Sequence, residues 1–578
     1  MSNSLQNQIK ALVKAGDLKT TPAVPASTKR AGGATKSTPG KTLQEEGGSS
    51  ISRKKRRNQK KKKAKVTGPQ YSSETMRSAY GGPSPQRVAE TAPVTHREET
   101  KPVIRLGTDL NKAWVPNALT ETPLIEHRET GIATAMNAGA SDFEQIQLGF
   151  DFGTSSVKVV ARLDSDNSLI PIHFRKGPDA LVLPSRLFID QGFGSLDPLS
   201  NRPDGQEFVD LKLPLLTAEV DQASLIRASL FLALVIRRVR AYIYENYTRV
   251  LSNKQIFWLI NFGVPASFQD EGGLQARFRD IFDCAAYLAV QPAERLKVSD
   301  AGNAWLARSW EKKSYTETAM TMVQLVPEIA AQIYAIMRSE QWDSTTRLFT
   351  VIDVGAGTVD IGVVSVTGKT GDHHLSFFYT EVVNHGAAML NRYRIKRIKN
   401  TVDSLTEKQS KYLDAVANNT AIDKQLPVNW AGYIRGSQRV SGSFDPDYEF
   451  ADGYMDDVLK SRDQVLGDGG FSKTDWREHR VILCGGGRNE PLYLKSLEKM
   501  TNIAGSNIGF DVRIPRRSRE VESAGISQGA YERISVAYGL SFSFELYPQL
   551  TLPNQIPQFT GRERPPRFTN LFVGKDSV

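Results

Sequence analysis

The sequence predicts an α/β protein of two like-folded halves, each carrying the same strand–turn–strand device, preceded by a basic, unfolded tail. Three observations predict it. DFGTSSVKVV at Asp151–Val160 and DVGAGTVDIGVV at Asp353–Val364 are two variants of one pattern, about two hundred residues apart. From Ile146 onward, short β-branched runs alternate with amphipathic helical ones, the texture of strands and helices packed in layers. Residues 1 to about 140 are instead rich in Lys, Ser, Thr, Gly, Pro and Gln, with few large apolar side chains and no sustained period. They bury too little surface to offset the entropy of ordering them.

The charge follows this division. The net charge is +11, yet the first hundred residues hold 20 lysines and arginines against 7 acids, so the remainder is slightly acidic. The densest part is RKKRRNQKKKKAK, Arg53–Lys65. It reads as a solubilising tail, as a contact for nucleic acid or an acidic surface, or as a nuclear import signal in a eukaryotic host. No aromatic residue interleaves the charges, which argues against a stacking platform for single strands. A short helix is expected at Leu5–Val13. TKSTPGKT at Thr35–Thr42 ends like a P-loop, but Thr35 stands at the first glycine position and no strand precedes it.

Cys284 and Cys484 are the only cysteines, far apart and each in an apolar run, which excludes a disulfide framework and a cysteine zinc cluster and fits a reducing compartment. The N-terminus has no signal-peptide-like apolar stretch. Ala223–Tyr244 raises the membrane question. About ten apolar residues there gain roughly 0.3–0.6 kcal/mol each on insertion, whereas Arg227, Arg237, Arg238 and Arg240 cost roughly 2.5–3.5 each. A soluble, cytoplasmic protein is expected, with the nucleus as an alternative in a eukaryotic host.

In order along the chain, QLGFDFG, VKVVARL and PSRLFID read as short strands, followed by a long helix at Ala223–Tyr247, a strand at Ile256–Val264 and a helix at Gly272–Leu288. A further amphipathic helix is expected over Thr318–Arg338, and Arg347–Val366 is the second strand–turn–strand. Arg392–Ala417 is helical and strongly charged. Val481–Leu483 runs apolar into Gly485–Gly487, and Pro548–Val578 reads as an irregular tail.

In each device an Asp ends an apolar run, a turn of small residues follows, and a β-branched run resumes. A turn of small residues presents backbone N–H groups to an oxyanion. The adjacent Asp cannot usefully touch phosphate, but it can hold the hydrated Mg²⁺ that accompanies it. One such hairpin is an ordinary turn; two facing each other would clamp the phosphates of one nucleotide.

The order of motifs resembles the actin, sugar-kinase and heat-shock ATPase superfamily, and within it the nucleotide-binding domain of the 70-kilodalton heat-shock chaperones, over roughly Ile146 to Leu546. FDFGTSSVKVV is similar to the first phosphate motif, LPSRLFI (Leu183–Ile189) to the short strand after it, and NFGVPASFQDEGGLQARFRDIFDCA, from Asn261, to the V-P-A pattern that opens a helix. VPEIAAQIYAI (Val326–Ile336) resembles the first connecting helix, IDVGAGTVDIGVV the second phosphate motif, LCGGGRNEPLYLKSL the adenosine motif, and ERISVAYGLSF, from Glu532, the second connecting helix.

The resemblance implies an actin-like ATPase fold of duplicated ribonuclease-H-like domains. Its lobes would span about 141–346 and 347–546, with a helical insertion at about 391–475. The implied cofactors are ATP or ADP and Mg²⁺. Gly153, Thr154 and Ser155 from one lobe and Gly355, Ala356, Gly357 and Thr358 from the other would bind phosphate. Gly485, Gly486, Gly487 and Arg488 would lie against the nucleoside, and Asp151 and Asp353 would hold the metal's hydration shell.

Three departures bear on hydrolysis. Val326 stands where the chaperones begin the first connecting helix with a water-positioning Glu, and Glu328 is the nearest acid. The counterpart of the catalytic Lys is Lys212 in FVDLKLPLL, with Arg175 and Lys176 as rivals. No adenine clamp stands out in Arg392–Gly470. Only about thirty residues follow Leu546, so no peptide-clamping domain of the chaperone type is expected there. The expected function is an ATP-binding, slowly hydrolysing switch acting on a protein partner. The alternatives are a small-molecule kinase, with DEGG at Asp270–Gly273 as its weak candidate base, and a filament-forming scaffold that retains nucleotide.

Overall fold

The computed structural model describes residues 142–556, apart from short internal stretches of which 198–204, 266–271, 313–320, 418–425, 435–443 and 504–510 are the longest. These residues belong to one of the two compact units of the chain. The expectations for Leu5–Val13, Thr35–Thr42, Arg53–Lys65 and the acids Asp270 and Glu271 lie outside them.

Alternation builds the first sheet. In β1 (Asp142–Phe152), Ile146, Leu148, Phe150 and Phe152 point to one face and form a core, while Gln147, Gly149 and Asp151 point to the other. β2 (Ser156–Leu163) returns antiparallel and β3 (Leu169–Pro171) continues the meander. β4 (Lys254–Val264) and β5 (Thr321–Pro327) then add in parallel on the far side of β1, giving the order β3-β2-β1-β4-β5. A small three-stranded sheet, Leu187–Asp190 flanked by Phe193–Ser195 and Gln206–Phe208, sits between β3 and the first helix in sequence.

That helix, α1 (Gln222–Asn246), starts where Asp221 accepts a bond from Ser224 N at 2.8 Å, an N-cap. It is buried almost throughout and packs with α2 (Gly272–Ala289) and α3 (Val298–Ala307) on the β1–β4 core. The arginines that weighed against membrane insertion are each engaged. Arg237, 1% exposed, donates to the carbonyls of Ala289, Gln291 and Ala293 at 3.2, 2.8 and 2.9 Å, satisfying the end of α2. Arg238 pairs with Asp197 at 3.0 Å, and Arg240 lies over the Trp258 ring. No helix among the described residues is long and apolar enough to cross a membrane.

The helix expected over Thr318–Arg338 is corrected: Thr321–Pro327 is strand β5, and α4 (Glu328–Met337) begins only after Pro327. Met322, Val323, Leu325 and Val326 satisfy a helical spacing, but pairing with Trp258–Val264 of β4 takes them into the sheet.

The second sheet is built from β6 (Leu348–Val354), β7 (Val359–Lys369), β8 (Asp372–Val383), β9 (Arg480–Cys484), β10 (Asp511–Arg513) and β11 (Gln549–Thr551), in the order β10-β9-β6-β7-β8-β11. β11 corrects the expected irregular tail over its three residues, which pair in parallel with His374–Ser376. Apart from β11, this sheet repeats the first. A central strand is flanked by an antiparallel meander on one side and two parallel strands on the other. Between β8 and β9 run α5 (Ala387–Thr401), α6 (Glu407–Ala417) and α7 (Pro446–Gly467); α8 (Pro491–Ile503) follows β9 and α9 (Gln528–Leu540) follows β10. The architecture is mixed α/β.

The two sheets exchange helices. α4 follows the first sheet but packs on the second, with Ile329, Ile333 and Ile336 against Phe349, Val351 and Val364. α9 follows the second but packs on the first, with Ile534 and Ala537 against Val160. The contact is close: a Cβ on Gly149 would lie 2.1 Å from the carbonyl oxygen of Ala537, and one on Gly539 would lie 2.0 Å from that of Ala331. Asn261, fully buried, ties β4 to the end of α9 by donating to the carbonyls of Leu540 and Phe542, each at 2.9 Å.

Candidate functional site

Both sequence-marked hairpins close in the same way. Gly153 N donates to Ser156 O at 3.0 Å, and Gly355 N donates to Thr358 O at 2.9 Å. In each, the turn's carbonyls are held from behind. Ser185 donates from its Oγ to Gly153 O at 2.8 Å and from its N to Ser155 O at 2.9 Å. The amides of Gly386, Ala387 and Ala388, at the start of α5, donate to Gly357, Gly355 and Ala356 O at 3.3, 3.0 and 2.8 Å. The amides of Thr154, Ser155, Ala356 and Gly357 have no acceptor among the described residues. Carbonyls tied back and amides left without acceptors are the two halves of an anion-binding turn.

The hairpins face each other. A Cβ placed on Gly357 would lie 2.9 Å from Thr154 Oγ1 and 2.8 Å from Leu213 Cδ2, so the second turn meets the first closely. Asp151 and Asp353 occupy equivalent places, each at the end of the central strand of its sheet.

Around the hairpins the structure gathers charges from four segments. Lys212, on the loop before the short 3-10 turn Leu213–Leu216, donates to Glu328 Oε1 at 2.7 Å, and both side chains are nearly buried. Burial works against the Lys212 charge, but Glu328, Asp360 and Asp151 overcome it and raise its pKa, so the ammonium is retained. Burial pushes Glu328 up against the opposing pull of Lys212. Burial, followed by the charges of Glu328 and Asp151, pushes Asp353 up to about 7, with Lys158 and Lys212 opposing. A cation among these carboxylates would remove that penalty. Among the described residues no group of three or more His, Cys, Asp or Glu is arranged to hold a metal ion.

Of the sequence candidates, Asp151, Asp353, Glu328 and Lys212 come together with both hairpins. Glu328 is the first residue of α4, while Val326 is a fully buried strand residue packed on Val536 and Leu540. The rivals of Lys212 lie elsewhere: Arg175 neighbours Arg533 of α9, whose charge it disfavours, and Lys176 is exposed.

The three glycines after β9 divide. Gly485 has φ +84°, and a Cβ there would lie 2.1 Å from Asp353 Oδ1; one on Gly487 would lie 2.7 Å from Gly355 O. At both positions the second hairpin fills the space that a side chain would need. Gly486 faces open space. Arg488 is ion-paired with Glu532 of α9.

Two residues of the site were missed. Lys158 pairs with Asp151 at 3.1 Å, and Asp360 belongs to the field around Lys212. Each stands seven residues after its Asp and directly opposite it in the strand pair. That common spacing was visible in both hairpins. No protein-family model and no curated protein matches the chain.

Proposed function

We propose that the described region is an actin-like domain of two ribonuclease-H-like halves. It binds Mg-ATP between its hairpins and hydrolyses it slowly, as a nucleotide-controlled switch of the heat-shock-chaperone-like kind. One observation carries the reading: two facing hairpins with carbonyls tied back and amides free, beside a buried Lys212–Glu328 pair. The repeated strand order and the exchanged helices support the fold assignment.

In this reading the free amides of Thr154, Ser155, Ala356 and Gly357, the Thr358 hydroxyl and the Lys158 ammonium receive phosphate oxygens. Asp151, Asp353 and Asp360 would hold the hydration shell of Mg²⁺, which supplies neutralising charge on the phosphates when bound. Glu328, with its pKa raised, is placed to accept a proton from an attacking water. Lys212 holds the Glu328 carboxylate in place through their 2.7 Å bond. The nucleoside would run along α5 toward a cavity of about 330 Å³ lined in part by Arg394, Tyr448, Met455, Leu492 and Lys495. Arg394 is seven residues from Ala387, about 10 Å along a helix axis, within the reach of a nucleotide.

The test is titration of the full chain with ATP and Mg²⁺, followed by phosphate release. Saturable binding, abolished or strongly weakened in Asp353→Ala, is expected; no binding sinks the proposal. Phosphate transfer stimulated by added sugars would instead assign a kinase, and ATP-dependent sedimentation without turnover would assign a scaffold.

A further inference from the structure

Four consecutive residues, Asp210 to Leu213, the last of which opens the 3-10 turn, divide their contacts between the two halves. Leu211 is buried in the core of the first half. Lys212 meets Glu328. Leu213 packs against Gly357 of the second hairpin. Asp210 accepts from Arg392 Nη2 of α5, the helix whose first amides hold the second hairpin's carbonyls.

Asp210 has φ +54°, a left-handed conformation that Asp tolerates better than most residues but that surrounding contacts must maintain. Its side chain is 20% exposed and that of Arg392 28%, so water screens the pair less than a surface ion pair. The other carboxylate oxygen, Oδ1, is buried with no donor among the described residues, leaving the charge dependent on Arg392.

We propose that Asp210 and Arg392 form a positioning clasp. The pair anchors the Lys212 loop to the helix backing the second hairpin, so Lys212 engages Glu328 while the halves are drawn together and bound nucleotide is retained. The consequence for nucleotide rests on the function proposed above; the contact does not.

The test uses the full chain and release of N-methylanthraniloyl-ADP with Mg²⁺, followed by stopped flow, in Asp210→Asn, Arg392→Gln and the double variant. Asn tolerates the left-handed backbone, so the exchange removes charge with little strain. Each single variant is expected to release the nucleotide about tenfold faster, with the double variant no faster than either and Arg392→Lys restoring most of the effect. Wild-type release in either single variant, or effects that add in the double, overturns the clasp. If the wild type binds no ADP, the nucleotide reading has failed and amide hydrogen exchange decides. Faster exchange at Ala387 and Ala388 in Arg392→Gln then supports the clasp, and unchanged exchange rejects it.

Discussion

The two hairpins share a closure but differ in what holds them. The first is backed by one residue, Ser185, through its hydroxyl and its amide, and carries Lys158 opposite its Asp. The second is backed by main-chain groups, the amides of Gly386–Ala388 and the close glycines 485 and 487, and carries Asp360 opposite its Asp. One geometry therefore presents a cation on one side and an extra carboxylate on the other. A backbone pattern can thus be repeated while the residues opposite its two acids carry opposite charge; under the proposed function the first would face phosphate and the second a hydrated cation.

The contrast breaks most severely at Gly485. Gly485→Ala drives a methyl group onto Asp353 at a left-handed φ, with an expected loss of about 2–4 kcal/mol in denaturant unfolding; wild-type stability would refute the packing described for the second hairpin. Under the proposed function, Lys158→Ala should weaken ATP binding about 100-fold in calorimetry, through loss of the charge-assisted phosphate contact assigned to it there, and Asp360→Asn should instead mainly weaken the Mg²⁺ dependence. Equal responses in the two would erase the asymmetry.

A third test uses pH. Asp353 holds a proton up to about 7 when folded, whereas an ordinary aspartate releases it near 3.8. Between those values the folded state binds the extra proton, so the Asp353 contribution is complete below 3.8 and lost as pH rises through about 7. Asp353→Asn cannot ionise. Its melting temperature in metal-free buffer should therefore gain on the wild type between pH 5 and pH 8, and a pH-independent difference would remove the claim.

Ser185→Ala, which leaves Gly153 O without its hydroxyl donor, should cost about 1 kcal/mol and loosen only the first hairpin. Gly486→Ala, into open space, should change stability by less than about 0.5 kcal/mol; a larger loss would show that its neighbourhood is filled.

Much of the frame was legible because its signals are local. The paired Asp-turn-strand motifs, the long helix starting after Asp221 and the apolar run into Gly485 each declare themselves within a dozen residues. What stayed hidden depends on distant partners. Thr321–Pro327 satisfies a helical spacing until β4 pairs with it, and Gln549–Thr551 is a strand only because β8 offers an edge. Lys212 stands out from Arg175 and Lys176 only through its bond to Glu328, 116 residues away. The glycines at 485 and 487 were recognised as special, but the strand end of Asp353 and Val354 that crowds them lies more than a hundred residues away in the sequence.

The crossing of α4 and α9 also constrains how the chain can be divided. A cut between Arg338 and Arg347 would leave the first fragment with α4 but without α9, which covers the Gly149 face of its sheet; the second would keep α9 but lose the helix that covers Phe349 and Val351. Each fragment would expose an apolar face that only the other can cover. Co-expressed pieces should therefore reconstitute one particle while neither persists alone, the behaviour of a region that repeats by pattern but folds as one unit.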